Sequence, residues 1–420
     1  MRLIFHIDVN SAFLSWTAQK LLEEDPESVD LRTIPAIIGG DEKTRHGIVL
    51  AKSVPAKKFG IHTAEPVASA LRKCPGLVMV PPDRPLYKKR SQELMELLRS
   101  YTPDIQQISI DECFLDFTPI RHLFPSPETG ARRIADRIRD ELGFTVNVGI
   151  APNKLLAKMA SDFEKPDKVH TLYPEEIPSK MWPLPVSDLY MVGHASAERL
   201  TQLGIRTIGD LAHADPAFLQ LHFKSHGKTM WEYANGIDTS PLDPEIHELK
   251  GIGNSTTLSQ DVLTAEEAKQ VLLELAEQVS SRLRKAHQIA TTVTVEIKYS
   301  TFRSCSRQTQ LYTPSAQSNT LYECACRLFD QLWNGSPIRL LGIRTSKLLA
   351  EDAPVQLSLF SFGLSTEEKS SQDPAPMQPD PEKQKRLDAA MDQIRRRFGS
   401  DAVMRGTFLK APPPKKDKNH

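Results

Sequence analysis

The chain reads as a multidomain α+β protein in which the element order βαββαβ occurs twice. Three observations carry this reading. Short apolar runs of strand length end in acids near residue 8 and around residue 110. Helical apolar spacing lies between them, and a second cycle of the same pattern runs from about 248 to 348.

Leu3–Asp8 is the first strand. Tyr87, Leu94, Leu98 and Tyr101 mark one face of a helix, and Ile105–Ile110 and Cys113–Phe117 read as two short strands. Ala131, Ile134, Ala135, Ile138 and Leu142 recur at helical spacing before a strand at Thr145–Ala151. Residues 14–81 are an insertion after the first strand, and 172–243 is a helical region. In the second cycle a strand near 248–258 precedes a helix with Ala268, Val271, Leu272, Leu275, Val279 and Leu283 inward. Thr291–Tyr299 alternates strictly, Phe302–Tyr312 follows as a strand, 316–333 as a helix and Ile338–Leu348 as a strand. From 351 to 381 Pro, Ser, Gln and charges dominate, the composition of a disordered linker. A last helix is expected at 382–398, with Leu387, Met391, Ile394 and Phe398 on one face and Gly399 as its C-cap.

The 420 residues suffice for several cores. With 53 basic and 53 acidic residues the formal net charge is zero, which argues against a globally basic nucleic-acid binder but leaves room for local basic surfaces. No apolar stretch approaches the ~20 residues of a membrane helix, and the N-terminus has no leader pattern. Five cysteines at 74, 113, 305, 324 and 326 form no metal spacing and no disulfide framework, which fits a reducing cytosol.

The chemistry concentrates in Ser109-Ile-Asp-Glu-Cys-Phe-Leu-Asp116 and in Asp8. Unpaired carboxylates set in apolar runs cost several kcal/mol, so acids placed this way usually hold a cation. Three acids at two strand ends suit a pair of Mg²⁺ ions and phosphoryl or nucleotidyl transfer. The alternative is that they cap turns or pair with Arg or Lys.

With the acids placed in a split βαββαβ unit, the chain resembles the Y-family DNA polymerases of the bacterial lesion-bypass type. The resemblance covers roughly residues 1–350 and a short motif beyond. His6-Ile-Asp-Val-Asn-Ser-Ala-Phe13 and Ser109–Asp116 are similar to the first two palm motifs, and Val148–Lys154 with Lys158, Lys165 and Pro166 to the third. Val192-Gly193 with Leu203–Leu211 resembles the thumb helix-hairpin-helix. The resemblance implies a right-hand fold: palm 1–13 and 82–171, fingers 14–81, thumb 172–243, little finger 244–350, linker 351–381 and tail 382–420. It implies that Asp8, Asp111 and Glu112 are catalytic and, with the Val9 carbonyl, ligate two Mg²⁺ ions bracketing an in-line displacement. Asn10, Ser11, Ala12, Phe13, Ser53, Lys57 and Lys165 would bind the nucleotide, the backbone N–H groups of residues 10–13 cradling phosphates. Phe13 would be the steric gate against a 2′-hydroxyl; by helical periodicity it could equally be core, with Trp16 and Leu21. Gly193, Arg303 and Arg307 would bind DNA, the two arginines sharing strand parity and hence one sheet face. Gln356, Leu357, Leu359 and Phe360 resemble the peptide that bacterial polymerases insert into the sliding clamp.

Four departures bear on activity. Ala51, Val54 and Lys57 stand where most relatives have Thr, Tyr and Arg; Lys57 keeps the charge without a bidentate fork, and Val54 offers no hydrogen bond. Asn10 replaces a second acid, Ala12 replaces a Phe, and Met191 replaces the first Gly of the thumb hairpin, a strained choice if that position needs φ > 0. The expectation is a distributive, error-prone DNA polymerase without proofreading. Its partners would be primer–template DNA, dNTPs and the sliding clamp; it would be a monomer, cytoplasmic and nucleoid-associated, with no membrane contact. A non-catalytic DNA- and clamp-binding subunit on the same scaffold is the alternative, supported by the altered fingers and opposed by the retained acids. A two-metal cyclase or nuclease leaves the fingers, hairpin and clamp motifs unexplained.

Overall fold

The structure is a computed structural model and describes residues 2–40, 47–245, 249–353, 381–399 and 402–403. The chain forms two compact units that divide between residues 246 and 247.

The first unit begins with strand β1 (Ile4–Val9), buried throughout, and helix α1 (Ala12–Glu24). A small sheet follows: β2 (Ala36–Gly39), β3 (Val49–Lys52), α2 (Val54–Lys58), α3 (Val67–Lys73) and β4 (Val78–Val80), with strand order β3-β2-β4. Then come α4 (Arg84–Arg99), β5 (Ile105–Gln107), β6 (Glu112–Asp116), α5 (Pro127–Leu142), β7 (Val146–Ala151), α6 (Lys154–Ser161) and β8 (Val169–Thr171). The main sheet runs β5-β6-β1-β7-β8. Its split unit therefore has the ferredoxin-like order, with β1 and β6 adjacent at the centre.

Both faces of this sheet are covered, which is why β1 and β7 are buried along their whole length. Phe5, Ile7 and Val9 pack with residues of α4 and α5. Ile4 and Phe114 pack with α6, in a cluster that continues into the helices α7 (His194–Gln202), α8 (Ile208–His213), α9 (Pro216–Phe223) and α10 (Ser225–Ala234). Helix α1 serves two cores: Trp16 packs with the main sheet, Leu14 and Ala18 with the small one. A boundary drawn at residue 13 thus cuts a helix whose two faces belong to different domains.

The second unit contains β9 (Gly251–Val262), α11 (Ala265–Lys285), β10 (Gln288–Tyr299), β11 (Ser304–Ser315), α12 (Ser318–Leu332) and β12 (Ile338–Ala350). The element order is the expected βαββαβ, but the sheet runs β11-β10-β12-β9. Its first and third strands are the two edges rather than central neighbours. One face, with Val293, Val295, Ile297, Leu341 and Ile343, packs on α11 and α12. The other is an open groove of ≈ 670 Å³ lined by small and polar residues, among them Ser255, Thr294, Ser306, Gly342 and Arg344.

The last helix, α13 (Pro381–Phe398), docks on this unit through charge. Arg284 Nε donates to Asp392 Oδ2 at 2.7 Å, Ser281 Oγ to Asp392 Oδ1 at 2.9 Å, and Arg395 Nη2 to Glu277 Oε2 at 2.9 Å. The apolar stripe read from the sequence is not the docked face: Leu387, Ile394 and Phe398 are 52%, 39% and 68% exposed. Gly399 adopts φ 100°, and its N–H donates to the Arg395 carbonyl, closing the helix.

Candidate active site

Asp8 and Glu112 are direct partners in the antiparallel β1–β6 ladder, so pairing of the two central strands alone brings two of the three acids together. Asp111 sits in the turn before β6, and its carbonyl accepts the Val9 N–H at 3.1 Å. The Ser109 hydroxyl fixes that turn: it donates to Asp111 Oδ1 at 2.6 Å and accepts the N–H groups of Asp111 and Glu112 at 3.3 and 3.1 Å.

A chain of alternating charges surrounds the acids. Lys165 pairs with Asp8 and, at 2.8 Å, with Asp162; Lys158 pairs with Glu112 at 2.7 Å and with Asp162 at 3.2 Å. Burial raises the Asp8 carboxyl above its ordinary range, against the pull of Lys165. Burial also works against the charge on both lysines, yet the carboxylates around them outweigh it and hold them above the usual ammonium range. Behind this network His6 bonds the Ser161 hydroxyl at 2.8 Å, and its pKa is pushed down to about 3 by burial and then by Lys158. In this arrangement, among the described residues, no three acid, His or Cys side chains converge closely enough to grip an ion. The donor set nevertheless fits a hard cation. The oxygens are carboxylates and a carbonyl, Asp8 is costly to ionise without positive charge nearby, and side-chain rotation would free oxygens now held by lysine.

A cleft of ≈ 380 Å³ collects residues 8–13, Asp111 and Lys165 from the main sheet's side with Ser53, Val54 and Lys57 from the small sheet's side. Glu112 does not line it; it is turned to Lys158. Lys52 and Thr63 also line the cleft, and Lys52 Nζ donates to Thr63 Oγ1 at 3.2 Å. Burial, then Lys57, depresses the Lys52 ammonium. The sequence reading passed over Lys52, although it lies inside the fingers motif, and gave no role to Asp162, whose spacing of four from Lys158 and three from Lys165 on a helical end signals the network.

Phe13 is half-buried at the cleft wall. Its ring stacks on Tyr87 with centroids 4.4 Å apart at 10°. Thr17 Oγ1 donates to the Phe13 carbonyl at 2.7 Å and bonds the Tyr87 hydroxyl at 3.0 Å, which braces the pair. The first N–H groups of α1 have no intrahelical acceptor by geometry, and Ser11 at the N-cap takes φ 48°. The Asn10 N–H is spent on the Thr145 carbonyl at 3.0 Å, so residues 11–13 remain as the N–H donors.

Three assignments need correction. The Ser53 hydroxyl donates to the Ile34 carbonyl and accepts from the Ala36 and Ala56 N–H groups; its one proton and two lone pairs are used, so it cannot also hold a phosphate. The Asn10 carbonyl oxygen accepts from Thr145 Oγ1 and Asp167 N, and its amide donates to Asn147, so the side chain ties strands rather than meeting a ligand. Arg307 lies opposite Val295, on the helix-facing side, and donates to Gln331 of α12 at 3.3 Å; the open face is the even-numbered one. Arg303 lies in the exposed hairpin before β11.

In the thumb segment Gly193 is the N-cap of α7, and a Cβ there would meet open space. Met191 takes φ 71° and is 58% exposed, the strained geometry its replacement of glycine entails. Gln356, Leu357, Leu359 and Phe360 lie outside the described residues.

Comparison with known proteins bears on this arrangement. Residues 7–162 match the impB/mucB/samB family, 249–359 its C-terminal domain and 174–205 the IMS family HHH motif. The chain is 45% identical over 408 residues to DNA polymerase IV of Clostridium acetobutylicum, covering 97% of this chain and 98% of that protein. It is 38% identical over 411 residues to DNA polymerase IV 1 of Bacillus subtilis, covering 97% and 94%. The solved Y-family DNA polymerase chimera Dbh-Dpo4(243-245)-Dbh shares the fold with a TM-score of 0.71 at 23% identity, over 83% of this chain and 99% of that one. Acids in register on the central strands, a cleft shared with the fingers and full-length relatives lead to one conclusion: the chain belongs to the Y-family DNA polymerases, within the DNA polymerase IV group.

Proposed function

We propose that Asp8, Asp111 and Glu112, with the Val9 carbonyl, hold two Mg²⁺ ions for transfer of dNMP from a dNTP to a primer 3′-hydroxyl. By family the chain is a DNA-directed DNA polymerase of the translesion type, dependent on a divalent metal and binding primer–template DNA and dNTPs. The observation that carries the proposal is the single cleft that two of the acids share with three lysines and the start of α1. When bound, the ions supply Lewis acidity to the 3′-hydroxyl and to the leaving pyrophosphate.

The chain's own residues do the rest. Lys52, Lys57 and Lys165 place positive charge where a triphosphate enters, and the N–H groups of residues 11–13 donate to its oxygens at a helix start. Phe13, braced by Tyr87, occupies the space of a 2′-hydroxyl. Lys57 binds as a point charge, and exposed Val54 adds no hydrogen bond, so nucleotide is held more weakly than by a Tyr and Arg pair. The even-numbered face of the second sheet, with Arg344, takes the duplex backbone, as do Gly193 and the exposed Arg303; such contacts position DNA without reading it. Gln356–Phe360 recruits the enzyme to the sliding clamp, the apolar Leu357, Leu359 and Phe360 being anchors in a polar stretch. The proposal includes a monomeric, cytoplasmic, nucleoid-associated enzyme without proofreading. No helix among the described residues is long and apolar enough to cross a membrane.

Primer extension with Mg²⁺ and dNTPs tests the metal assignment. Asp111→Ala should lower single-turnover extension by about 10³-fold or more while primer–template affinity stays within about threefold. Extension within tenfold of wild type would move the metal site elsewhere. Deletion of residues 356–360 should abolish stimulation by the clamp and spare basal synthesis; unchanged stimulation places recruitment in another segment.

A further inference from the structure

The hairpin joining β10 and β11 carries an unusual residue at its tip. Phe302 takes φ 64°, a left-handed conformation that is strained for a bulky L-residue. The turn holds it there: the Phe302 N–H donates to the Tyr299 carbonyl at 2.9 Å, the Tyr299 N–H to the Arg303 carbonyl at 2.9 Å, and the Ser300 N–H to the Pro337 carbonyl at 3.0 Å. Strain of this kind normally selects Gly or Asn. Here it is accepted by an aromatic residue that remains 64% exposed, so its burial in the unit's own core cannot be the reason.

The surroundings are cationic. The Arg339 guanidinium carbon lies 4.7 Å from the ring centroid and Lys298 Nζ 5.9 Å from it. Arg303 is the exposed next residue. Among the described residues none of these three cations is in an ion pair; Glu296 is the nearest carboxylate along β10 and lies two residues before Lys298. A single apolar ring is too small to anchor a protein partner, which needs a contiguous patch of a few hundred Å². It does match what an unpaired nucleotide offers: a flat π-face for the ring and a phosphate for each cation.

We propose that Phe302 is a stacking platform for an unpaired base of single-stranded DNA, with Lys298, Arg303 and Arg339 meeting the adjoining phosphates. The site is non-sequence-specific, because every base has a π-face. It rests on the polymerase reading to the extent that DNA is the polymer bound.

The test uses the full-length protein without metal or dNTP, and fluorescence anisotropy with labelled dT12, an abasic 12-mer of equal charge, and a primer–template duplex. Wild type should bind dT12 more tightly than the abasic strand. Phe302→Ala and Phe302→Asn should each weaken dT12 binding by about 5- to 50-fold and leave the abasic strand within about twofold. Phe302→Trp should keep dT12 affinity. Asn tolerates the left-handed backbone, so Phe302→Asn should melt at or above the wild-type temperature, which separates lost stacking from lost folding. Equal affinity of wild type and Phe302→Ala for dT12, parallel loss on both strands, or competition by poly-glutamate as effective as dT12 overturns the proposal. Failure of wild type to bind the primer–template overturns the polymerase reading instead.

Discussion

The palm and the little finger share the element order βαββαβ and differ in which strands sit at the centre. In the palm the first and third strands, β1 and β6, are neighbours, and Asp8 faces Glu112 in register. In the little finger the corresponding strands, β9 and β11, are the opposite edges, separated by two others and hence roughly 14 Å apart. No pair of side chains at equivalent positions can meet there. Chemistry built from the ends of those two strands is thus available to one arrangement and closed to the other. Coverage follows the same division: the palm sheet is packed on both faces, while the little finger leaves one face open and lines it with small polar residues.

The largest effect that sharpens this contrast is steric. A Cβ on Gly149 in β7 would overlap the Ala157 carbonyl and lie 2.5 Å from the Ser161 nitrogen, because α6 rests directly on the strand. A Cβ on Gly342, on the open face of β12, would meet the Ser255 Cβ at 3.0 Å. Gly149→Ala should therefore lower stability by about 3 kcal/mol and Gly342→Ala by less than about 1, read from urea midpoints. Equal costs would mean the two sheets are packed alike. Next, Phe13 is clamped by Tyr87 whereas Phe302 is exposed. Phe13→Ala should reduce discrimination between dNTP and rNTP by about 10²-fold in steady-state incorporation, with dNTP use retained; undiminished discrimination moves the gate to another side chain. The smallest effect is acid sensitivity of the palm. The neutral, buried His6 has a folded pKa near 3 against an ordinary 6.5. The unfolded chain then binds the extra proton first as pH falls, and stability from this residue is lost from about 6.5 downward. Between pH 7.5 and 5 wild type should lose roughly 2 kcal/mol more than His6→Gln in denaturant unfolding. Parallel curves would show that His6 takes a proton without opening the site.

Element order was legible because periodicity reports burial of one face, and burial is what both units share. Sheet order was not, since the choice of the strand that enters the middle is made by packing between elements far apart in sequence. Parity placed Arg303 and Arg307 together, but the side they occupy follows from register: Arg307 opposes Val295, an inward residue of an alternating strand. Ser53 was read as a ligand group from its motif, yet Ser-Val-Pro at a helix start is also the pattern of an N-cap, which is its role. Asn10 gave the same kind of warning, being a polar residue at the end of a buried strand whose side chain had to find partners inside. Asp8, Asp111 and Phe13 were legible as motif residues, and the pairing of β1 with β6 brings the two segments to one cleft; the lysine network was not, since Lys158 reaches Glu112 across 46 positions.

Helix α13 fixes how the protein behaves as a solute. Its anchors are buried charge pairs, which added salt screens little, whereas Leu387, Ile394 and Phe398 form an outward stripe that salting-out agents drive from water. At high ionic strength helix α13 should therefore stay docked while its outward stripe becomes the stickier surface, so self-association under those conditions would run through this helix.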